Sequence, residues 1–266
     1  MMLRALLLLF ATLTAALGME SPRRIASYSP GATQTLLDLG LGGRIAAATR
    51  WCPLPKEHPA RRTCDAFNPD LETLLQVKPD LVILPRLANP LWAERCLRAG
   101  LRVIVLQAEG ADSAQQDIEN IAAAVGEAAA ARKLLQSVRA PGSTPKTLLI
   151  VWDGMMAGPD AYTQWALKRA GFTSPLRKGT WIKFDWETLV QTQPDAILWI
   201  ESSPADGPIA PSEKHRKEMS EVIAVKELNA IKTGKVYMVP SGGDWLPGTG
   251  LIRAAGKLRE IRKDVP

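Results

Sequence analysis

The sequence predicts an α/β protein built as two parallel-sheet lobes joined by a single long rigid helix, with a cleft between the lobes. Three observations lead there. The segment Asp70-Leu71-Glu72-Thr73-Leu74-Leu75-Gln76-Val77-Lys78-Pro79-Asp80-Leu81-Val82-Ile83-Leu84 returns as Asp185-Trp186-Glu187-Thr188-Leu189-Val190-Gln191-Thr192-Gln193-Pro194-Asp195-Ala196-Ile197-Leu198-Trp199, with seven of fifteen positions identical at a constant offset of 115. Short apolar runs alternate with helical periodicities on both sides of each copy. Between the halves, 113–139 carries an Ala-rich apolar stripe with no Pro.

Taken in order, residues 1–18 read as a cleavable secretory leader. Arg4 gives a positive start, Ala5 to Leu13 an apolar centre, and the small residues up to Ala16 or Gly18 a cleavage site. The apolar run is short for a membrane span. No Cys follows either site, so no lipid-anchoring cysteine is expected on the mature chain, which should be soluble and periplasmic. The first lobe, 19–112, has strand candidates at Arg24–Tyr28, Arg44–Ala48, Leu81–Leu84 and Leu101–Leu106. Helices at Ala32–Leu39 and Leu91–Ala99 end before Gly40 and Gly100, the expected helix stop. In each repeat copy an Asp (Asp70, Asp185) can cap a helix, a Pro (Pro79, Pro194) ends it, and a buried strand follows. In 113–139, Ser113-Ala114-Gln115-Gln116 resembles a capping box, and Ile118, Ile121, Val125, Leu134, Leu135 and Val138 lie on one stripe. One helix of this length would span roughly 40 Å, weakened only slightly by Gly126. The second lobe, 140–266, has strand candidates at Thr147–Trp152, Ala196–Ile200 and Lys235–Val239.

The bulk composition narrows function by exclusion. In 266 residues the formal net charge is +6, spread without any Lys/Arg block, so a nucleic-acid surface is not expected. Three cysteines remain, Cys52, Cys64 and Cys96. In an oxidising compartment Cys52 and Cys64, which enclose a short Pro- and Arg-rich loop, are the expected disulfide. The rival is a metal site from Cys52, His58 and Cys64, which matches no established zinc spacing and lacks a fourth ligand. The other of the two histidines, His215, lies in a charged run that reads as a solvated face. No nucleophile elbow, zinc-protease motif or phosphate loop is present, so neither catalytic residues nor a cofactor are expected. A bare-ion receptor would want more His and carboxylate ligands.

In open parallel sheets ligands sit beyond the carboxyl ends of the strands. Those ends carry Trp51, Trp152 and Trp245, whose rings suit a flat or greasy ligand. Arg50 and Arg86 can pair with carboxylates or phosphates there. Arg253 reads as a solvated surface residue.

The chain resembles the periplasmic binding proteins of ABC importers for iron chelates, haem and cobalamin, whose lobes are joined by a backbone helix. The residues that carry this are Arg24-Ile25-Ala26-Ser27-Tyr28-Ser29-Pro30-Gly31, Asn68-Pro69-Asp70-Leu71-Glu72, Lys78-Pro79-Asp80-Leu81-Val82 and Thr233-Gly234-Lys235-Val236-Tyr237. The resemblance implies a monomeric protein that captures a bulky metal chelate and delivers it to an inner-membrane permease. It implies docking on that permease through one acid per lobe, Glu72 and, at the same place in the repeat, Glu187. It aligns Trp51 and the pair Asp244-Trp245 with corrinoid-contacting positions. A corrinoid is thus favoured over a ferric siderophore or haem. The Glu that cobalamin receptors carry after their Asp-Trp pair is missing here, where Leu246-Pro247-Gly248 follows. An enzyme acting on a chelate is the alternative of another class.

Overall fold

The computed structural model describes residues 20–60, 63–107, 109–142, 144–202 and 207–265; the expected leader lies outside the described residues. The first sheet contains β1 (Ile25–Ser27), β2 (Ile45–Ala48), β3 (Leu81–Leu84) and β4 (Arg102–Val105), all parallel, in the order β2-β1-β3-β4. Helices α1 (Pro30–Asp38), α2 (Leu71–Gln76) and α3 (Pro90–Arg98) connect them. All four strands lie where the sequence placed them; β1, β2 and β3 are buried, so they need no polar alternation, while β4 is a half-buried edge strand.

The linking segment departs from expectation. It forms two helices, α4 (Ala111–Ala124) and α5 (Ala128–Gln136), in place of one. Gly126 adopts φ +81, a left-handed conformation that ends α4. The Val125 carbonyl freed by the break accepts from the Ser21 hydroxyl at 2.5 Å, and Arg44 donates to that hydroxyl at 2.8 Å. Ser113 is not the cap residue; it sits inside the first turn and accepts from the Gly110 amide at 3.0 Å.

The second sheet is mixed. Its strands are β5 (Lys146–Trp152), β6 (Met155–Ala157), β7 (Phe172–Thr173), β8 (Trp181–Lys183), β9 (Ala196–Glu201), β10 (Ala210–Pro211) and β11 (Val236–Pro240). The order is β10-β11-β9-β5-β6-β8, with β7 paired to β5. The three expected strands, β5, β9 and β11, form its parallel centre. The others are two or three residues long, too short to register as periodicity. Asp153-Gly154, at φ 47 and 72, makes the two-residue turn from β5 into antiparallel β6. Helices α6 (Gln164–Ala170), α7 (Trp186–Thr192), α8 (Glu213–Ser220), α9 (Asn229–Lys232) and α10 (Gly250–Arg262) complete the chain.

The two helices of the link are packed into the core rather than spanning the lobes as one free strut. Ile118, Ile121, Val125 and Leu135 of the link share one continuous core with Ile25 and Ile83 of the first sheet and Leu148, Ile150 and Leu198 of the second. A second seam joins α1 to the segment before α10. A Cβ on Gly31 would lie 1.9 Å from the Pro247 carbonyl oxygen, so only Gly allows the two backbones to meet. The Thr249 hydroxyl donates to Asp38 at 2.6 Å, and Arg253 bridges Asp38 at 2.8 Å and Asp244 at 2.5 Å. Arg253 is therefore a cross-link within the fold and not a solvated side chain.

Candidate functional site

Both repeat copies place an acidic residue in an exposed first helical turn. The Asp70 carboxylate accepts from the Thr73 amide at 2.7 Å, and Asp185 accepts from Thr188 at the same distance. These hydrogen bonds, from Thr73 and Thr188, hold both capping carboxyls below the usual range. Glu72 and Glu187 follow two residues later, exposed on α2 and α7.

At the carboxyl ends of the first sheet, Trp51 is 61 % exposed, with the Arg50 guanidinium 5.2 Å from its ring centre. Arg50 also borders an open space of about 490 Å³ with Cys64, Asp65, Asn68 and Asp70. Arg86 is partly neutralised by an ion pair with Glu109. A second space, about 350 Å³, opens between Tyr28, Phe67, Leu84, Leu87 and Trp92.

At the end of β5, Trp152 is half-buried, and its Nε1 donates to the Ser202 hydroxyl at 3.4 Å. Ser202 in turn donates to the Asp153 carboxylate at 3.1 Å. Trp181 meets Trp152 edge-on with centroids 6.2 Å apart, and Tyr162 lies 5.8 Å from Trp181. Trp152 thus belongs to an aromatic group on the second sheet.

Two expected ligand contacts are corrected. Trp245 is 0 % exposed and belongs to the shared core. Asp244 is buried and holds Arg253 and Lys257, the latter at 2.7 Å. Both serve the seam between the lobes, where a buried carboxylate is stable because two cations face it. The remaining spacings also resolve differently. Cys52 and Cys64 stand as separate thiols, not the expected bridge, although both point at the Ser27 carbonyl, at 3.7 and 4.0 Å. Burial pushes the Cys64 thiol up to about 12. His58 cannot join them as a metal ligand: Nδ1 accepts from the Ala60 amide and Nε2 donates to the Gly42 carbonyl, both at 3.2 Å. Among the described residues no cluster of three or more His, Cys, Asp or Glu is placed to hold a metal ion. His215 is buried, not solvated. Its ring stacks on Trp199 with centroids 4.6 Å apart and planes at 6°. His215 and Met219 form the inward stripe of α8, which the flanking charges conceal in the sequence.

The periplasmic binding protein family model matches residues 25–242, which contain both sheets and every strand end described above. The chain belongs to the periplasmic binding protein family. As such it is a solute-binding protein of the ABC-transporter type. It is 25 % identical, over 91 % of this chain and 80 % of the relative, to an uncharacterised ABC transporter substrate-binding lipoprotein, YvrC, of Bacillus subtilis. Its fold is similar to two solved proteins of Vibrio cholerae. One is the vitamin B12 binding protein BtuF, with a TM-score of 0.68 at 19 % identity, covering 92 % of this chain and 98 % of that one. The other is the haem binding protein HutB, with a TM-score of 0.68 at 17 % identity, covering 90 % and 98 %. Among the described residues of this periplasmic binding protein, no helix is long and apolar enough to cross a membrane.

Sequence reasoning missed Tyr28, Trp92, Trp181 and Tyr162. Tyr28 had a usable signal, since it directly follows an apolar strand. Trp92 reads as one more apolar position in a helix, and Trp181 lies on a strand too short to detect.

Proposed function

We propose that this protein captures a bulky metal chelate between its lobes and delivers it to an ABC permease. The observation that carries the reading is Trp51, a large aromatic left 61 % exposed at a strand end beside the exposed guanidinium of Arg50. Exposed rings of this size cost solvation unless a partner covers them. Arg50 and Arg86 supply positive charge for anionic groups of the ligand, and Trp152 offers a ring from the second lobe. Cobalamin, haem and ferric siderophores all meet this description. The burial of Trp245 removes one of the two aromatics that favoured a corrinoid. Glu72 and Glu187 are the docking acids, one per lobe. The lobes divide at 19–112 and 140–266, with 113–139 between them, and the mature protein is a soluble periplasmic monomer.

Titration of intrinsic Trp fluorescence with cobalamin, haem and a panel of ferric siderophores tests the ligand class. Saturable quenching by one of them supports it; no quenching by any refutes it. Charge reversal, Glu72→Arg with Glu187→Arg, should abolish uptake and leave chelate affinity unchanged. Equal losses of uptake and affinity would remove the docking role.

A further inference from the structure

The first lobe carries an apolar hollow among its strand ends. In the order β2-β1-β3-β4 the chain leaves β1 toward one edge and passes from β3 toward the other, so a crevice opens between these two strands. Tyr28 follows β1, Leu84 ends β3 and Pro85 follows it, and all three border the space of about 350 Å³. Phe67, Leu87 and Leu91 border it too, and they are exposed by 83, 89 and 58 %. Apolar side chains left in water around one hollow cost solvation in the free protein, and such patches mark places that something else covers. The hollow has little polar character to set against this. The Asn89 side-chain oxygen is taken by the Leu91 amide at 3.0 Å, and Arg95 is exposed on α3.

The segment 64–70 is a wall between this hollow and the space of about 490 Å³ beside Arg50. Asp65, Asn68 and Asp70 border the Arg50 side, and Phe67 and Pro69 border the apolar side. The Asp65 carboxylate accepts the Phe67 amide at 2.8 Å and the Asn68 amide at 3.4 Å, which fixes the turn that sends neighbouring residues to opposite sides. One stretch of chain thus separates a polar compartment from an apolar one. The polar compartment offers a guanidinium and two carboxylates, so it can meet both acceptors and donors. The second lobe has no equivalent hollow at the matching position. Leu84 borders the hollow, whereas Trp199, its repeat counterpart, fills its own surroundings by stacking on His215 and packing against Phe184 at 5.4 Å.

We infer that the hollow receives an uncharged apolar group of the ligand, an aromatic ring or an alkyl chain lying between Phe67, Leu87 and Leu91, while polar atoms of the same ligand lie across the wall beside Arg50. The ligand is therefore amphiphilic on the side it turns to the first lobe. An apolar cavity of about 150 Å³ is enough for benzene, so the hollow has room for a larger ring system. A polar or charged group there would lose water and find only apolar walls. The inference rests on the solute-binding function proposed above and narrows its substrate to a chelate with such an apolar group.

The probe is N-phenyl-1-naphthylamine, a neutral apolar fluorophore, titrated into the leaderless full-length protein. Its emission should rise and saturate with a Kd of roughly ten micromolar. Phe67→Asp and Leu87→Asp, both at exposed positions, should each weaken it about tenfold with an unchanged circular dichroism spectrum. Leu97→Asp should change it by less than about twofold, because Leu97 is 57 % exposed on the same helix as Leu91 but does not border the hollow. The chelate that binds should displace the probe, and Leu87→Asp should weaken that chelate as well. Absence of saturation, equal effects of Leu87→Asp and Leu97→Asp, or a bound chelate that leaves the probe in place overturns the inference. So does a dimer in sedimentation that Leu87→Asp dissolves, which would assign the patch to a second copy. Loss of uptake in Leu87→Asp with probe and chelate affinity unchanged would assign it to the permease and overturn the inference too. Cobalamin, haem and ferric siderophores titrated into the same samples separate the two readings. Chelate binding without probe binding overturns the hollow alone; probe binding without any chelate binding overturns the chelate reading and keeps the hollow as an apolar site.

Discussion

Residues 70–84 and 185–199 make the same helix, turn and strand in the two lobes, and they stay alike down to single hydrogen bonds. Asp70 caps α2 as Asp185 caps α7, with identical distances. Lys78 and Gln193, next to the two prolines, both turn the chain at positive φ, 46 and 45. Asp80 then accepts the Arg23 and Arg24 amides entering β1, and Asp195 accepts the Thr147 amide entering β5. Past that point they part. β3 ends in Leu84 beside an open pocket, and β9 carries Trp199 in a filled aromatic stack. The difference teaches that the turn chemistry is shared scaffold, while the packing at the strand ends is where the two copies diverge.

The largest predicted effect tests the shared scaffold. Leu74 and Leu189 are the matching anchors, 1 and 0 % exposed. Leu74→Ala and Leu189→Ala should each cost about 2–5 kcal/mol in urea unfolding. Because one core runs through both sheets and the link, each variant should still unfold in a single transition, followed by both fluorescence and circular dichroism. Two separated transitions would mean that the lobes are independent units.

A smaller effect separates the two turns. Asp195 also accepts from the Thr147 hydroxyl at 2.8 Å and is half-buried, while Asp80 is exposed. Asp195→Ala should therefore cost about 2 kcal/mol and Asp80→Ala about 1 kcal/mol by the same assay. The reverse order would break the correspondence between the copies.

The smallest effect belongs to the second lobe alone. Burial holds His215 below the ordinary histidine value, against the opposing pull of Glu201 at 3.8 Å. A depressed folded value means that the unfolded chain binds the proton more readily. The contribution is fully present above the unfolded pKa, about 6.5, and is lost as pH falls through the folded value. His215→Phe keeps a ring on Trp199 and removes the proton, so the fall in stability from about pH 7 to about pH 5 should become shallower. An unchanged slope would place the sensitivity elsewhere.

Much of this fold was legible because buried parallel strands announce themselves. All seven strands of the two parallel centres follow continuous apolar runs. The break at Gly126 was hidden because the stripe of Ile121, Val125 and Ala128 continues across it at helical spacing. Trp245 and Asp244 were misread for a different reason. In a loop, nothing periodic says which way a side chain points, and here Gly31 and Pro247 approach so closely that the segment becomes a seam. The exposed pair Arg50 and Trp51 was legible from position after β2. The edge-to-face contact of Tyr28 with Trp92 was not, since a ring contact between distant residues is a property of three-dimensional packing.

Calorimetric titration of cobalamin, haem and a ferric siderophore into wild type, Trp51→Ala and Trp245→Phe bears most directly on the claim that the strand ends recognise a chelate while the Asp244-Trp245 segment holds the lobes together. The account predicts one chelate bound one to one, a loss of about tenfold or more in Trp51→Ala, and a change within about twofold in Trp245→Phe. Binding of none, or a loss confined to Trp245→Phe, would contradict it.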